Sequence, residues 1–322
     1  MKESIGILIG LLLLSIVIYF SGGMEVLNLI FSVNFIYLVI AILCEFIIII
    51  LFTIRLKSIL YNQKYKLPVK EIFKILLAGS AVNQLTPVLK IGGEPLKVYY
   101  LSKKEVPTSK ASASIIVEIV SELASLYIFL LLLVLFLSFY KYLPLDYLYI
   151  EVFITLLFIV SVVVSFKFML SEKRVENFIR KYLLKVFKGR GNDVKVSSKL
   201  FSYTILNLFK DKKLCFCIFS LSFLARIFEI LRLYFIFLAI NFNLNLFLIL
   251  VFWVLQILFS MIPWLPGGLG LVEGGTISTL ALLGISTKYS SSIVLLDRFI
   301  GLWIPVLTGL ISVKFIKISR KH

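Results

Sequence analysis

Long apolar runs alternate along this chain with short polar stretches, most of them basic. The runs cover residues 6–20, 31–54, 111–139, 147–170, 214–240 and 290–313. All but the first exceed the roughly 18–20 apolar residues that a helix needs to cross a hydrocarbon core. The period-2 alternation of a membrane β-barrel is absent. The pattern predicts an all-α polytopic membrane protein. Lys2 before the first run gives the look of a signal peptide. A small-x-small cleavage site after Phe20 is lacking, so this run is read as a retained first span.

Basic loops face the cytoplasm. Residues 55–74 carry Arg55, Lys57, Lys64, Lys66, Lys70 and Lys74, residues 171–213 carry twelve Lys or Arg against four acids, and the tail carries Lys314, Lys317, Arg320 and Lys321. These are assigned inside. The base-poor loops at 21–30, 141–146 and 241–245 are assigned outside. Both termini are then cytoplasmic, in a multi-pass protein of the cell membrane.

Two apolar stretches do not fit as simple spans. Residues 67–104 begin and end in basic sequence and are broken at Gly79, Pro87, Gly92, Gly93 and Pro95. Residues 246–284 are broken at Pro263, Pro266, Gly267, Gly268 and Gly270. Irregular backbone at membrane depth is tolerated only where protein or a wet cavity covers it. Both read as re-entrant helical hairpins, entering from opposite faces. The expected architecture is about six full spans plus two such hairpins, with eight plain spans as the alternative.

The two breaks match at a fixed offset. Pro87 and Pro266, Glu94 and Glu273, and Glu118 and Asp297 are each 179 residues apart. That is the pattern of an inverted repeat, which places a site near the midplane where the halves meet. The chain divides accordingly. Residues 1–30 form a first span and outer loop. Residues 31–139 form one repeat half with its hairpin at 67–104. Residues 140–213 supply a connecting span and a basic amphipathic segment, read as lying on the inner leaflet or as a solvated linker. Residues 214–322 form the second half with its hairpin at 246–284.

Composition sharpens this. The 322 residues are 60% hydrophobic and only 16% charged, with 34 Lys and Arg against 17 Asp and Glu. The basic excess sits in loops between spans, so anionic inner-leaflet headgroups are the expected partner and nucleic acid is not. Cys44, Cys215 and Cys217 lie in apolar segments and read as small buried hydrophobes. The only histidine is His322, which removes His-based catalysis and makes a metal site unexpected. No cofactor is implied.

Candidate chemistry concentrates in three places. Around the first break stand Asn83, Pro87, Lys90, Gly92, Gly93 and Glu94, followed by Pro95 and Lys97. A helix start after Gly93 offers free N–H groups to an anion. Around the second break stand Pro266, Gly267, Gly268 and Glu273, a density of Gly and Pro that suits either a hairpin tip or an external loop anchored by Trp264. Within spans lie Glu118 and Glu122 on one helix face, Arg226, Glu229 and Arg232 spaced by three, the neighbours Asp297 and Arg298, and Glu45 alone in its span. An unpaired charge costs at least about 2.5–3.5 kcal/mol at the bilayer centre, so these face the bundle interior. A structural pair such as Arg226–Glu229 is the plain alternative for that cluster.

At these residues the chain resembles the transmembrane region of lysylphosphatidylglycerol synthases. The resemblance rests on residues 83–97, the acids that follow, Pro266 to Glu273 and Asp297-Arg298, and it covers nearly the whole chain. The family includes the flippase part of bacterial MprF and stand-alone membrane proteins. It implies movement of a lipid between leaflets, and not synthesis, because the aminoacyl-transferring part of such synthases is a separate soluble domain. It also implies Pro87, Gly92, Gly93, Glu94, Pro266, Gly267, Gly268, Glu273, Asp297 and Arg298 as motif positions. The expected function is a flippase-like translocase of a phosphate-bearing lipid: a phospholipid, an aminoacyl-phospholipid or a polyprenyl phosphate. Helix starts and Arg226 and Arg298 would receive phosphate. Glu94, Glu118, Glu122, Glu273 and Asp297 would bind an amine or carry protons. The alternatives are a membrane transferase on a lipid-linked substrate, for which no nucleophile–base pair or nucleotide motif is visible, and a non-catalytic anchor for a partner. A second copy of the chain or a separate lipid-modifying enzyme are the candidate protein partners.

Overall fold

The computed structural model describes residues 23–86, 92–139, 198–242, 245–260 and 268–316. The runs at 6–20 and 147–170 and most of the basic segment fall outside them. The described residues are helical and contain no strand. In chain order they form α1 (Met24–Phe31), α2 (Phe35–Asn62), α3 (Val69–Leu85), α4 (Glu94–Ser102), α5 (Thr108–Phe139), α6 (Ser198–Lys210), α7 (Lys212–Ala239), α8 (Leu246–Ser260), α9 (Leu271–Leu282), α10 (Thr287–Arg298) and α11 (Ile304–Phe315). A π turn over Phe299–Trp303 joins α10 to α11. The protein is an all-α polytopic membrane protein. Four helices among the described residues are long and apolar enough to cross a bilayer: Phe35–Asn62, Thr108–Leu132, Lys212–Ala239 and Thr287–Phe315.

The sequence pattern located these four spans but misplaced some ends. The run at 31–54 suggested a cytoplasmic loop from Arg55 onward. The helix instead continues to Asn62, with Arg55 buried in it. In the last span Pro305 has no N–H to give to the Gly301 carbonyl. The π turn just before it absorbs the missing bond. Cys44 is buried as expected, but Cys217 is exposed on α7.

Chain contacts divide the protein into two compact units. The first takes residues 1–53, 68–97 and 227–317, and so holds both broken helix pairs. Within it, α3 lies along α11. Gly309 faces the Leu77 carbonyl and Ala81, where any side chain would collide. Small residues let two backbones approach closely, which is how helices associate where no hydrophobic force separates protein from lipid. The chain then doubles back on itself twice. After α3, Gly93 returns against the Gly79 carbonyl, and Lys97 of α4 crosses Gly79. After α8, positive φ at Gly268 (67°) and Gly270 (83°) turns the chain so that α9 packs back on α8.

The second unit takes residues 54–67, 98–226 and 318–322. Its core joins Ile59, Val117, Leu208, Leu214 and Ile218. α6 presents Phe201, Ile205 and Phe209, at four-residue spacing, to Ala113 and Ile116 of α5. This is the described end of the segment expected to be amphipathic, and its apolar stripe is covered by protein. Asp211 starts α7. Its Oδ1 accepts the N–H groups of Lys213 and Leu214, both at 3.0 Å, and its Oδ2 accepts from Asn62 Nδ2 at 2.7 Å. The Leu214 N–H, then the Asn62 amide and the Lys213 N–H, hold the Asp211 carboxyl below the usual carboxylate range. A lowered folded value means that the cap stabilises above the ordinary carboxylate pKa and is lost as pH falls through the folded one. Asp211→Ala should therefore melt below wild type in detergent at pH 7. The gap should shrink as pH drops past the carboxylate range, which thermal unfolding followed by circular dichroism will read.

Candidate functional site

The first hairpin tip is built by a side chain that reaches across its own break. Asn83, near the end of α3, accepts the Gly93 N–H on Oδ1 at 2.6 Å and donates from Nδ2 to Glu94 Oε1 at 2.8 Å. Lys97, one turn into α4, pairs with Glu94 Oε2 at 2.7 Å. The Gly93 N–H at this helix start, expected to be open to an anion, is thus already engaged. Gly92 abuts Thr86. Pro87 and Lys90 lie outside the described residues.

The second tip uses a different device. Gly270 precedes α9, and its N–H donates to Glu273 Oε2 at 2.6 Å. The reciprocal reach of a third-position carboxylate to the cap backbone is half of a capping box. Glu273 is fully buried, and its other oxygen lies 2.9 Å from Arg298 Nε on α10. Pro266 and Gly267 lie outside the described residues. Leu269 at this tip forms a buried cluster with Leu302 and Val306, against which Leu85, at the end of α3, also packs. The two tips therefore meet inside the first unit.

The ionisable residues of the spans form two further clusters. In the first unit Arg232 binds Asp297 Oδ1 through Nε (3.0 Å) and Nη2 (2.9 Å), and binds Glu45 through Nη1. Gln256 donates to Asp297 Oδ2 at 2.8 Å, and Trp253 Nε1 donates to Glu229 at 3.0 Å. In the second unit Arg55 donates through Nη2 to Glu118 (2.8 Å) and Glu122 (3.1 Å) and through Nη1 to Ser222 (2.9 Å). Arg226 Nη2 completes the group on Glu122 at 3.0 Å.

The sequence-derived candidates thus separate. Asn83, Gly92, Gly93, Glu94, Glu229, Gly268, Glu273, Asp297 and Arg298 belong to the first unit, and Glu118, Glu122 and Arg226 to the second. The plain alternative of an Arg226–Glu229 pair gives way to Arg226–Glu122 and Glu229–Trp253. Glu45 is not alone, since Arg232 holds it. Arg55, Arg232, Gln256 and Trp253 were absent from the candidates. Arg55 reads as a loop residue because a cation at the end of an apolar run resembles an interface anchor. Among the described residues no group of three His, Cys, Asp or Glu is arranged to hold a metal.

Paired this way, the charges cross the apolar interior as salt bridges between helices. Removing one partner of a buried pair strands the other, at about 3–5 kcal/mol. Both side chains of Arg55–Glu118 are only 2% exposed. Arg55→Ala and Glu118→Ala should each destabilise strongly. The double variant should fall short of their sum by about 1–3 kcal/mol in detergent unfolding.

The comparisons with known proteins agree with this architecture. The model of the family described as "Lysylphosphatidylglycerol synthase TM region" matches residues 5–309. A UPF0104 membrane protein of Methanothermobacter thermautotrophicus is 27% identical over 98% of this chain and 95% of its own length. One from Methanocaldococcus jannaschii is 24% identical over the same shares. One from Pyrococcus horikoshii is 26% identical over 96% of each chain. With two broken helix pairs between long spans and a family match over almost its whole length, the chain belongs to the lysylphosphatidylglycerol synthase transmembrane-region family.

Proposed function

We propose that this protein is a flippase-like lipid translocase that moves a phosphate-bearing headgroup between leaflets while the acyl or prenyl tails stay in lipid. The observation that carries the reading is the meeting of the two hairpin tips around Leu85, Leu269, Leu302 and Val306. Broken helices that converge within a bilayer are how transporters present backbone and charge to a polar cargo at depth.

The chemistry of the second tip suits a phosphate. Glu273 occupies a place served by a guanidinium and by the N–H at a helix start, two donors that recognise phosphate oxygens as readily as a carboxylate. A headgroup phosphate that displaces Glu273 takes over Arg298 and the Gly270 N–H, and the released carboxylate meets an amine or a proton. At the first tip Glu94 is held by Lys97 and Asn83 in an analogous way. The basic tail and the loop after α2 face the cytoplasm in this reading, following the charge rule for short loops. The chain acts as a carrier and not as a transferase, and the lipids are its partners.

Reconstitution tests this. Proteoliposomes carrying a fluorescent phosphatidylglycerol or a labelled polyprenyl phosphate should lose outer-leaflet protection to an impermeant quencher much faster than empty vesicles. Arg298→Gln should slow the movement by at least about tenfold, the loss expected for one charge-assisted contact. Wild-type protein that is folded in the vesicles yet accelerates neither lipid contradicts the proposal.

A further inference from the structure

Four arginines lie among the described residues, all within spans: Arg55, Arg226, Arg232 and Arg298. Two of them repeat. Arg55 and Arg232 are 177 residues apart, and their partners Glu118 and Asp297 are 179 apart. Each arginine sits on the long span before a broken helix pair, and each acid sits on the span that follows it. The contacts match as well. Nη2 of Arg55 reaches Glu118 at 2.8 Å, and Nη2 of Arg232 reaches Asp297 at 2.9 Å. Each pair lies wholly within one compact unit.

The difference between the copies is equally informative. Arg55 has a second acid, Glu122, one turn beyond Glu118. The residue 179 positions on from Glu122 is Gly301. A Cβ on Gly301 would lie 2.6 Å from Arg232 Nη1, so the guanidinium rests on bare backbone where the first copy has a glutamate. Arg232 takes its second carboxylate from Glu45, which lies on the span that carries Arg55. In return, Arg226 and Ser222, on the span that carries Arg232, complete the first copy. Each pair is thus completed by a side chain from the opposite half.

We propose that Arg55–Glu118 and Arg232–Asp297 are two copies of one gate, which open alternately. This rests on the translocase reading and adds its positioning residues. Each pair ties the first and last spans of its half, and those spans flank a hairpin. Opening both at once would leave two arginines and two acids unpaired in an apolar interior, so simultaneous opening is disfavoured. A single open pair is compensated by the cargo: phosphate takes the arginine, and an amine or a proton takes the acid. The bipolar headgroup thereby selects states with one gate open.

The test uses the full chain in liposomes, with Cys44→Ala, Cys215→Ser and Cys217→Ser and one reporter cysteine at a time, Gln84→Cys or Ser260→Cys. An impermeant maleimide is applied from either face. Glu118→Gln and Asp297→Asn should shift reporter labelling in opposite directions, each by roughly tenfold, as expected when a two-state balance loses one tie. Glu118→Asp and Asp297→Glu keep the charge and should label as wild type. Shifts in the same direction, no shift in folded protein, or equal shifts from the charge-keeping variants overturn the proposal. Labelling needs no lipid assay. Opposite shifts in a protein that moves no lipid refute the translocase reading and leave the gates. Lipid movement with unshifted labelling refutes the gates alone.

Discussion

The cost of an unpaired charge in hydrocarbon governs this structure. Every carboxylate described within the long spans meets a donor on another helix. Glu45 and Asp297 share Arg232, Glu118 and Glu122 share Arg55, and Glu229 takes the Trp253 N–H. In water such contacts contribute little. Where the alternative is desolvated charge, each one dictates which helices stand side by side. The fold follows from that matching as much as from apolar packing, which cannot by itself distinguish one lipid-like helix surface from another.

The same constraint explains the two breaks. A backbone interrupted by glycine and proline exposes N–H groups that hydrocarbon cannot satisfy. The first break solves this with Asn83, which accepts the Gly93 N–H and donates to Glu94. The second solves it with Glu273, whose charge is balanced by Arg298 on a neighbouring helix. The first solution is local to the hairpin, while the second depends on a span. In the translocase reading this asymmetry makes the second tip the one whose state follows the span beside it.

Much of this was legible in the sequence. The long spans appear as apolar runs, the two breaks as clusters of Gly and Pro, and the equivalence of Glu94 with Glu273 and of Glu118 with Asp297 as a constant spacing. The pairing was not legible. Arg55 reaches Glu118 across 63 residues, and Arg232 reaches Glu45 across 187. Only packing decides such partnerships. Arg55 was masked for a further reason: a cation ending an apolar run reads as a loop, and nothing local says that the helix continues around it. Trp253 was masked because an indole in an apolar helix reads as core until its N–H finds an acceptor.

The central structural claim is that the two hairpin tips share one place. It is tested most directly by joining them. In native membranes, with Cys44, Cys215 and Cys217 replaced, Leu85→Cys together with Leu269→Cys should be bridged by a short bifunctional thiol reagent. A Leu269→Cys and Leu302→Cys pair serves as the positive control. Bridging of both pairs is the expected result. Bridging of the control without any between residues 85 and 269 would place the tips apart and contradict the account.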